Sequence, residues 1–142
     1  MARIQLGSFL SGDEILFVGY SRRNAAFSAE VMKAFVKAGK KVYPVNPKGG
    51  PAGVEVYPSL EAVPARPALA YVVTSSANSA RAIDALAARG VRRILFQSRR
   101  SADAALLERC AKLGIETAVA CPLMAFGGGF HRFHGFLSGV RA

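Results

Sequence analysis

Glu14-Ile15-Leu16-Phe17-Val18-Gly19-Tyr20-Ser21-Arg22-Arg23-Asn24 is the stretch on which the fold turns. Ile15 to Val18 is an unbroken apolar run of strand length, which suits a strand covered on both faces. It ends at Gly19, and a helical pattern begins just beyond the polar turn. Over 25–38, Phe27, Val31 and Phe35 recur every four residues, with Met32 and Val36 beside them and Lys33 and Lys37 on the other face. Gly39 is a natural stop for that helix. Strand, glycine turn and amphipathic helix, in that order, open a strand–helix–strand unit.

The same alternation continues outward. Lys41 to Asn46 reads as the next strand, followed by a Gly- and Pro-rich loop from Pro47 to Pro58. Pro44 lacks a ladder N–H, so a bulge or an early end to pairing is expected there. Ser59 to Val63 reads as one helical turn, and Ala68 to Thr74 as a third buried strand. Ala77 to Arg89 reads as a helix with Ala80, Ile83 and Ala87 on one face, stopped by Gly90. Arg92 to Gln97 is a fourth strand. Ser101 to Leu113 is a helix with Ser101 as its expected N-cap and Leu106, Cys110 and Leu113 turned inward. Ile115 to Ala120 is a fifth strand.

Strands separated by helices of this length imply a parallel sheet with right-handed crossovers. The expected class is therefore α/β: a Rossmann-like, doubly wound, three-layer fold with about five parallel strands and a C-terminal helical tail. Residues 1–126 are expected to form this domain. Residues 127–142 read as a hinge, Gly127-Gly128-Gly129, and a short amphipathic tail on which Phe130, Phe133 and Leu137 would share a face. Packing of that tail on the domain, in a homodimer or on another protein partner is expected ahead of a lipid surface.

A chain of 142 residues fits one domain, and 51% hydrophobic residues suffice for a continuous core. No apolar run approaches the roughly 20 residues of a membrane helix, so no membrane span is expected. The first residues lack a charged start followed by an apolar stretch, so no export signal is read and a cytoplasmic location is expected. In that setting Cys110 and Cys121 are expected to be reduced thiols and not a disulfide.

Lys and Arg number 19 against 9 Asp and Glu, a formal net charge of +10. The sum suits nucleic acid, an acidic membrane surface or a phosphorylated small molecule. The distribution is more informative. Arg22 and Arg23 follow the first strand, Lys48 the second, and Arg99 and Arg100 the fourth. In a parallel sheet these positions share the carboxyl edge, which favours a compact polyanion. Nucleic acid, which would want a long basic stripe with exposed aromatics, is not expected as a partner.

The loop Gly19 to Asn24 holds the phosphate-cradle position of such a fold. Gly19 permits close backbone approach, the following helix start offers free N–H groups, Ser21 and Asn24 add donors, and Arg22 and Arg23 add charge. A side chain at Gly19 is expected to meet the ligand while leaving a loop position able to fold. A nicotinamide dinucleotide site wants three glycines here and an acid after the second strand. This chain has one glycine, then Asn46-Pro47-Lys48, which speaks against NAD and leaves NADP or another phosphorylated ribose.

The ordered set Val18-Gly19-Tyr20-Ser21, Tyr43-Pro44-Val45-Asn46-Pro47-Lys48, Val56-Tyr57-Pro58-Ser59-Leu60, Phe96-Gln97-Ser98 and Ala120-Cys121-Pro122-Leu123-Met124 resembles the stand-alone CoA-binding protein family. That domain is related to the nucleotide-binding domain of the succinyl-CoA synthetase alpha subunit. The resemblance runs from about Ile15 to Met124 and implies coenzyme A, or an acyl-CoA, as ligand. It implies phosphate contacts from Gly19, Ser21 and Arg22, with Tyr20, Arg23 and Asn24 of the same loop also expected at the ligand. It implies ribose-side contacts from Asn46, Pro47 and Lys48, further contacts from Thr74 and Ser75, and a thiol-arm lining from Gln97 and Ser98.

The catalytic inventory is thin. The only histidines, His131 and His134, lie in the tail, and with Cys121 they make a poor metal-ligand set. No catalytic residue and no metal site is assigned, and the balance of residues speaks against catalysis. The expected function is a binding, carrier or sensor module for CoA. An NADP-type oxidoreductase fragment and a nucleic-acid-binding protein are the alternatives.

Overall fold

Five short strands carry the core in a computed structural model that describes residues 6–123. In chain order the elements are α1 (Leu6–Phe9), β1 (Glu14–Val18), α2 (Ala25–Lys37), β2 (Lys41–Val45), a 3₁₀ turn (Leu60–Ala62), β3 (Leu69–Val72), α3 (Ser76–Ala88), β4 (Arg93–Phe96), α4 (Ala104–Lys112) and β5 (Glu116–Val119). The expected hinge and aromatic tail lie outside the described residues.

Successive strand side chains point to opposite faces, and here both faces are covered. Ile15 and Phe17 of β1 join Val31 and Phe35 of α2, with Leu69, Tyr71 and Leu95 from the neighbouring strands. Leu16 and Val18 join Ile83 and Leu86 of α3 and Leu106 and Cys110 of α4. That is the expected three-layer α/β architecture. The first face is rich in rings: Phe17 lies 5.0 Å from Tyr20 and 4.9 Å from Tyr71, centroid to centroid. Edge-on aromatic packing of this kind adds to the area it buries.

All strand pairs are parallel, in the order β2-β1-β3-β4-β5. The chain leaves β1 for β2 on one side and returns to β3 on the other, so the winding reverses between β1 and β3. A crevice opens at the carboxyl ends of the strands at such a point.

Four expectations about the elements need correction. β2 is an edge strand, and its register with β1 runs unbroken from Glu14↔Lys41 to Val18↔Val45, with no bulge. The Pro44 carbonyl faces outward and accepts from Tyr57 N at 2.8 Å, so the missing N–H also faces outward and costs no bond to β1. The last helix starts later than expected. Asp103, not Ser101, caps α4 by accepting from Leu106 N at 2.9 Å, while Ser101 is buried in the preceding turn. Val36 and Leu113, expected inward or beside the core, are 54% and 36% exposed. Val36 sits about 100° round the helix from Phe35, beyond the strip that the sheet covers.

At the opposite end of the sheet, two cations tie down the chain that precedes β1. Arg93 donates to the carbonyls of Phe9 and Ser11, and the buried Lys40 donates from Nζ to Gly12 O at 2.5 Å. Burial, reinforced by the nearby Arg93 and opposed by Asp13, lowers the Lys40 pKa below the ordinary lysine value.

Candidate anion-binding cleft

The crevice between β1 and β3 is a cleft of about 870 Å³. Val18, Val45 and Val73 line it at the strand ends, the β1–α2 and β2 loops border it, and Pro58 to Leu60 and the start of α3 complete it. The lining includes Arg23, Lys48 and Arg81, and no Asp or Glu among the described residues. Arg23 and Lys48 have no ion-pair or side-chain hydrogen-bond partner among the described residues.

Within the β1–α2 loop, Asn24 is the hub. Asn24 Oδ1 accepts from Ser21 Oγ and from the buried Ser28 Oγ, each at 2.8 Å, and from Ser21 N at 3.3 Å. The first α-helical bond of α2 is Ser28 N to Asn24 O, which leaves the amides of the first turn without helical acceptors. No acid stands in the first turn of α2 or of α3. Neither helix start is therefore neutralised by an acid of its own first turn.

Gly19 takes φ +105°, a backbone conformation that L side chains rarely adopt. A Cβ there would lie 2.8 Å from Thr74 Cγ2 and 3.0 Å from Val73 Cγ1. Its side of the chain thus faces the β3–α3 turn. This corrects the expectation that a side chain at Gly19 would meet the ligand and spare the fold.

The β2 loop is also self-supporting. Asn46 donates from Nδ2 to Tyr20 O at 3.1 Å and accepts at Oδ1 from Lys48 N at 2.9 Å, while its backbone N donates to Tyr57 O. The loop then returns along the outer edge of β2 through the Val45–Tyr57 bridge, which brings Pro58 to Leu60 over the cleft. On the β3 side, Thr74 Oγ1 and the buried Ser79 Oγ are 2.8 Å apart, and Ser75 Oγ caps α3 by accepting from Asn78 N.

Arg99 and Arg100, expected at the same basic edge, do not line the cleft; of the residues that the resemblance assigns to the ligand, Gly19, Ser21, Arg23, Asn24, Asn46, Pro47, Lys48, Thr74 and Ser75 do. Four do not. Tyr20 is 2% exposed, with its ring against Phe17 on the opposite face of the sheet. Arg22 donates from Nε to Gly50 O at 3.0 Å and so pins the β2 loop from outside. Gln97 accepts from the Tyr71 hydroxyl, and Ser98 Oγ accepts from Arg100 N at 3.2 Å. Both follow β4, one strand beyond the reversal. Burial pushes the Tyr71 hydroxyl far above the ordinary tyrosine range, with Cys121 adding to the shift, so it stays a donor.

Ser59, Asn78 and Arg81 line the cleft but were not singled out in the sequence. Asn78 and Arg81, three residues apart, are neighbours on the helix surface, but their spacing does not say that this face turns to the cleft. No group of His, Cys, Asp and Glu fit to hold a metal occurs among the described residues. Cys110 and Cys121 are free thiols, and burial pushes the Cys110 pKa up.

The family described as "CoA binding domain" matches residues 13–126. The chain belongs to the CoA-binding domain family. Solved structures share its fold at low identity. Prb, a protein redesigned for binding, is 22% identical with a TM-score of 0.72, covering 89% of this chain and 87% of its own. A Thermus thermophilus protein is 20% identical, with a TM-score of 0.71 and coverage of 85% and 92%. A hypothetical protein from Pyrococcus horikoshii OT3 is 20% identical, with a TM-score of 0.70 and coverage of 84% and 87%. No curated protein matches the chain. In this CoA-binding domain the matched segment contains every residue that lines the cleft.

Proposed function

We propose that the chain binds coenzyme A or an acyl-CoA in the β1/β3 cleft, through the phosphates, and works as a binding, carrier or sensor module without catalysing a reaction. One observation carries the reading: a cleft of about 870 Å³, at the reversal point of a CoA-binding domain, presents three cations and no carboxylate among the described residues. A cleft lined by one charge sign attracts a compact anion, because its low-dielectric walls focus the field.

The β1–α2 loop suits the diphosphate, since Gly19 carries no side chain, Arg23 lines the cleft and the first-turn amides of α2 lack helical acceptors. Lys48, at the end of β2, suits a phosphate on the ribose, where an acid would suit bare hydroxyls. Asn46 shapes the rim, because both ends of its side-chain amide are engaged within the chain.

Calorimetric titration with CoA, dephospho-CoA and NADP tests the reading. CoA is expected to bind more tightly than dephospho-CoA by about 1.5–3 kcal/mol, the worth of a charge-assisted contact to the 3′-phosphate. NADP binding as tightly as CoA would replace CoA with a dinucleotide. No binding of CoA would end the proposal.

A further inference from the structure

Arg81 is in the second turn of α3 and lines the cleft. Its natural intrahelical acid is Asp84, three residues on. Asp84 instead pairs with Arg109 of α4. Arg81 leans back toward the helix start and donates from Nη1 to Asn78 Oδ1 at 3.4 Å, a long contact to a neutral acceptor. Side chains on a helix lean toward its N-terminus, so this is the sterically easy direction. A cation there nevertheless works against the helix dipole. The guanidinium is exposed, has no carboxylate partner among the described residues, and borders a space that also contains Lys48, carried by the β2 loop.

From this placement we infer that Arg81 is a specificity-determining residue. It and Lys48, from different walls of the cleft, grip a phosphomonoester on the ligand's ribose, while Arg23 serves the diphosphate. The site thereby selects ligands that carry a ribose phosphate over ligands that end in a bare diol. The inference deepens the proposed CoA site and rests on it. The guanidinium fork suits the oxygens of a monoester, and lysine would supply charge without that geometry.

The test compares wild type, Arg81→Gln and Arg81→Lys by calorimetry. The probes are CoA and dephospho-CoA, with adenosine 3′,5′-bisphosphate and AMP as a second pair that lacks the pantetheine arm. Arg81 is exposed, so both variants are expected to melt like the wild type. Arg81→Gln is expected to weaken CoA and the bisphosphate by about ten- to hundredfold. It is expected to leave dephospho-CoA and AMP within about twofold of their wild-type affinities, with Arg81→Lys intermediate. Equal weakening of both members of a pair would place Arg81 on the base or the diphosphate and overturn the inference. No weakening of either would do the same. If the wild type binds the bisphosphate but not CoA, the CoA reading fails while the Arg81 comparison is still decided on the second pair. If it binds none of the probes, both fail.

Discussion

Gly19 does two jobs that a sequence reading separates. It ends β1 beneath the cleft, and at φ +105° its missing Cβ leaves room for Thr74 and Val73. The glycine is therefore part of the contact between the β1 and β3 ends, as well as part of the anion cradle. Gly19→Val is expected to lower stability by about 1–3 kcal/mol from backbone strain alone, with the crowded Thr74 adding to it. Urea unfolding followed by circular dichroism checks this: an unchanged midpoint would mean that the turn yields more readily than its geometry implies. For the same reason Gly19→Val is a poor probe of ligand binding. Arg23→Ala and Lys48→Ala are cleaner, because neither side chain holds the fold. Arg22→Ala differs from both, since it frees Gly50 O and loosens the β2 loop.

At the scale of elements, helix starts show where local rules decide and where they do not. Asp103 accepts from Leu106 N and fixes the first turn of α4. Asp103→Ala is expected to cost about 1 kcal/mol and Asp103→Asn much less, because asparagine keeps the capping oxygen; thermal melts of both variants would show it, and equal losses would deny the cap. The sequence reading puts the cap at Ser101, two residues early, because serine is as favourable a cap as aspartate and residue type alone does not fix the helix boundary. The order of strands and helices was legible because buried runs such as Ile15 to Val18 and the Phe27–Val31–Phe35 repeat have different periods. The edge position of β2 was not, because strand neighbours are set by long-range packing, and only that position makes Pro44 harmless. The cleft followed the same division. Loops after β1 and β2 were legible as its border, since parallel topology puts them on one edge. Ser59, Asn78 and Arg81 were not, because their approach depends on how the chain returns through Tyr57 and which face α3 turns to the cleft. Gln97 and Ser98 belong to the same edge yet fall outside the cleft, since β4 is one strand past the reversal.

For the whole molecule, the question is whether the charge of +10 serves a site or a surface. Lys33 and Lys37 sit on the outer face of α2, and Lys41 and Arg93 border the opposite end of the sheet from the cleft. These four lie away from the cleft, while Arg23, Lys48 and Arg81 meet in it with no acid among its described lining residues. A ligand that binds only the folded state adds RT ln(1 + [L]/Kd) to stability, about 2.7 kcal/mol at a hundredfold excess over Kd. For a domain of this size that corresponds to a rise in Tm of about 8 °C. Raising the ionic strength from about 0.05 M to 0.5 M is expected to shrink the CoA-induced rise, at fixed CoA, because the Debye length falls below the reach of the cleft cations. A short single-stranded oligonucleotide at matched phosphate concentration is expected to give a much smaller rise, lacking a continuous basic track to follow. Differential scanning fluorimetry with both ligands at both salt concentrations separates the cases. A CoA rise indifferent to salt would mean that the phosphates are not what the cleft holds. An oligonucleotide rise equal to that of CoA would assign the charge to the surface as a whole, and the cleft would lose its claim to be the reason for it.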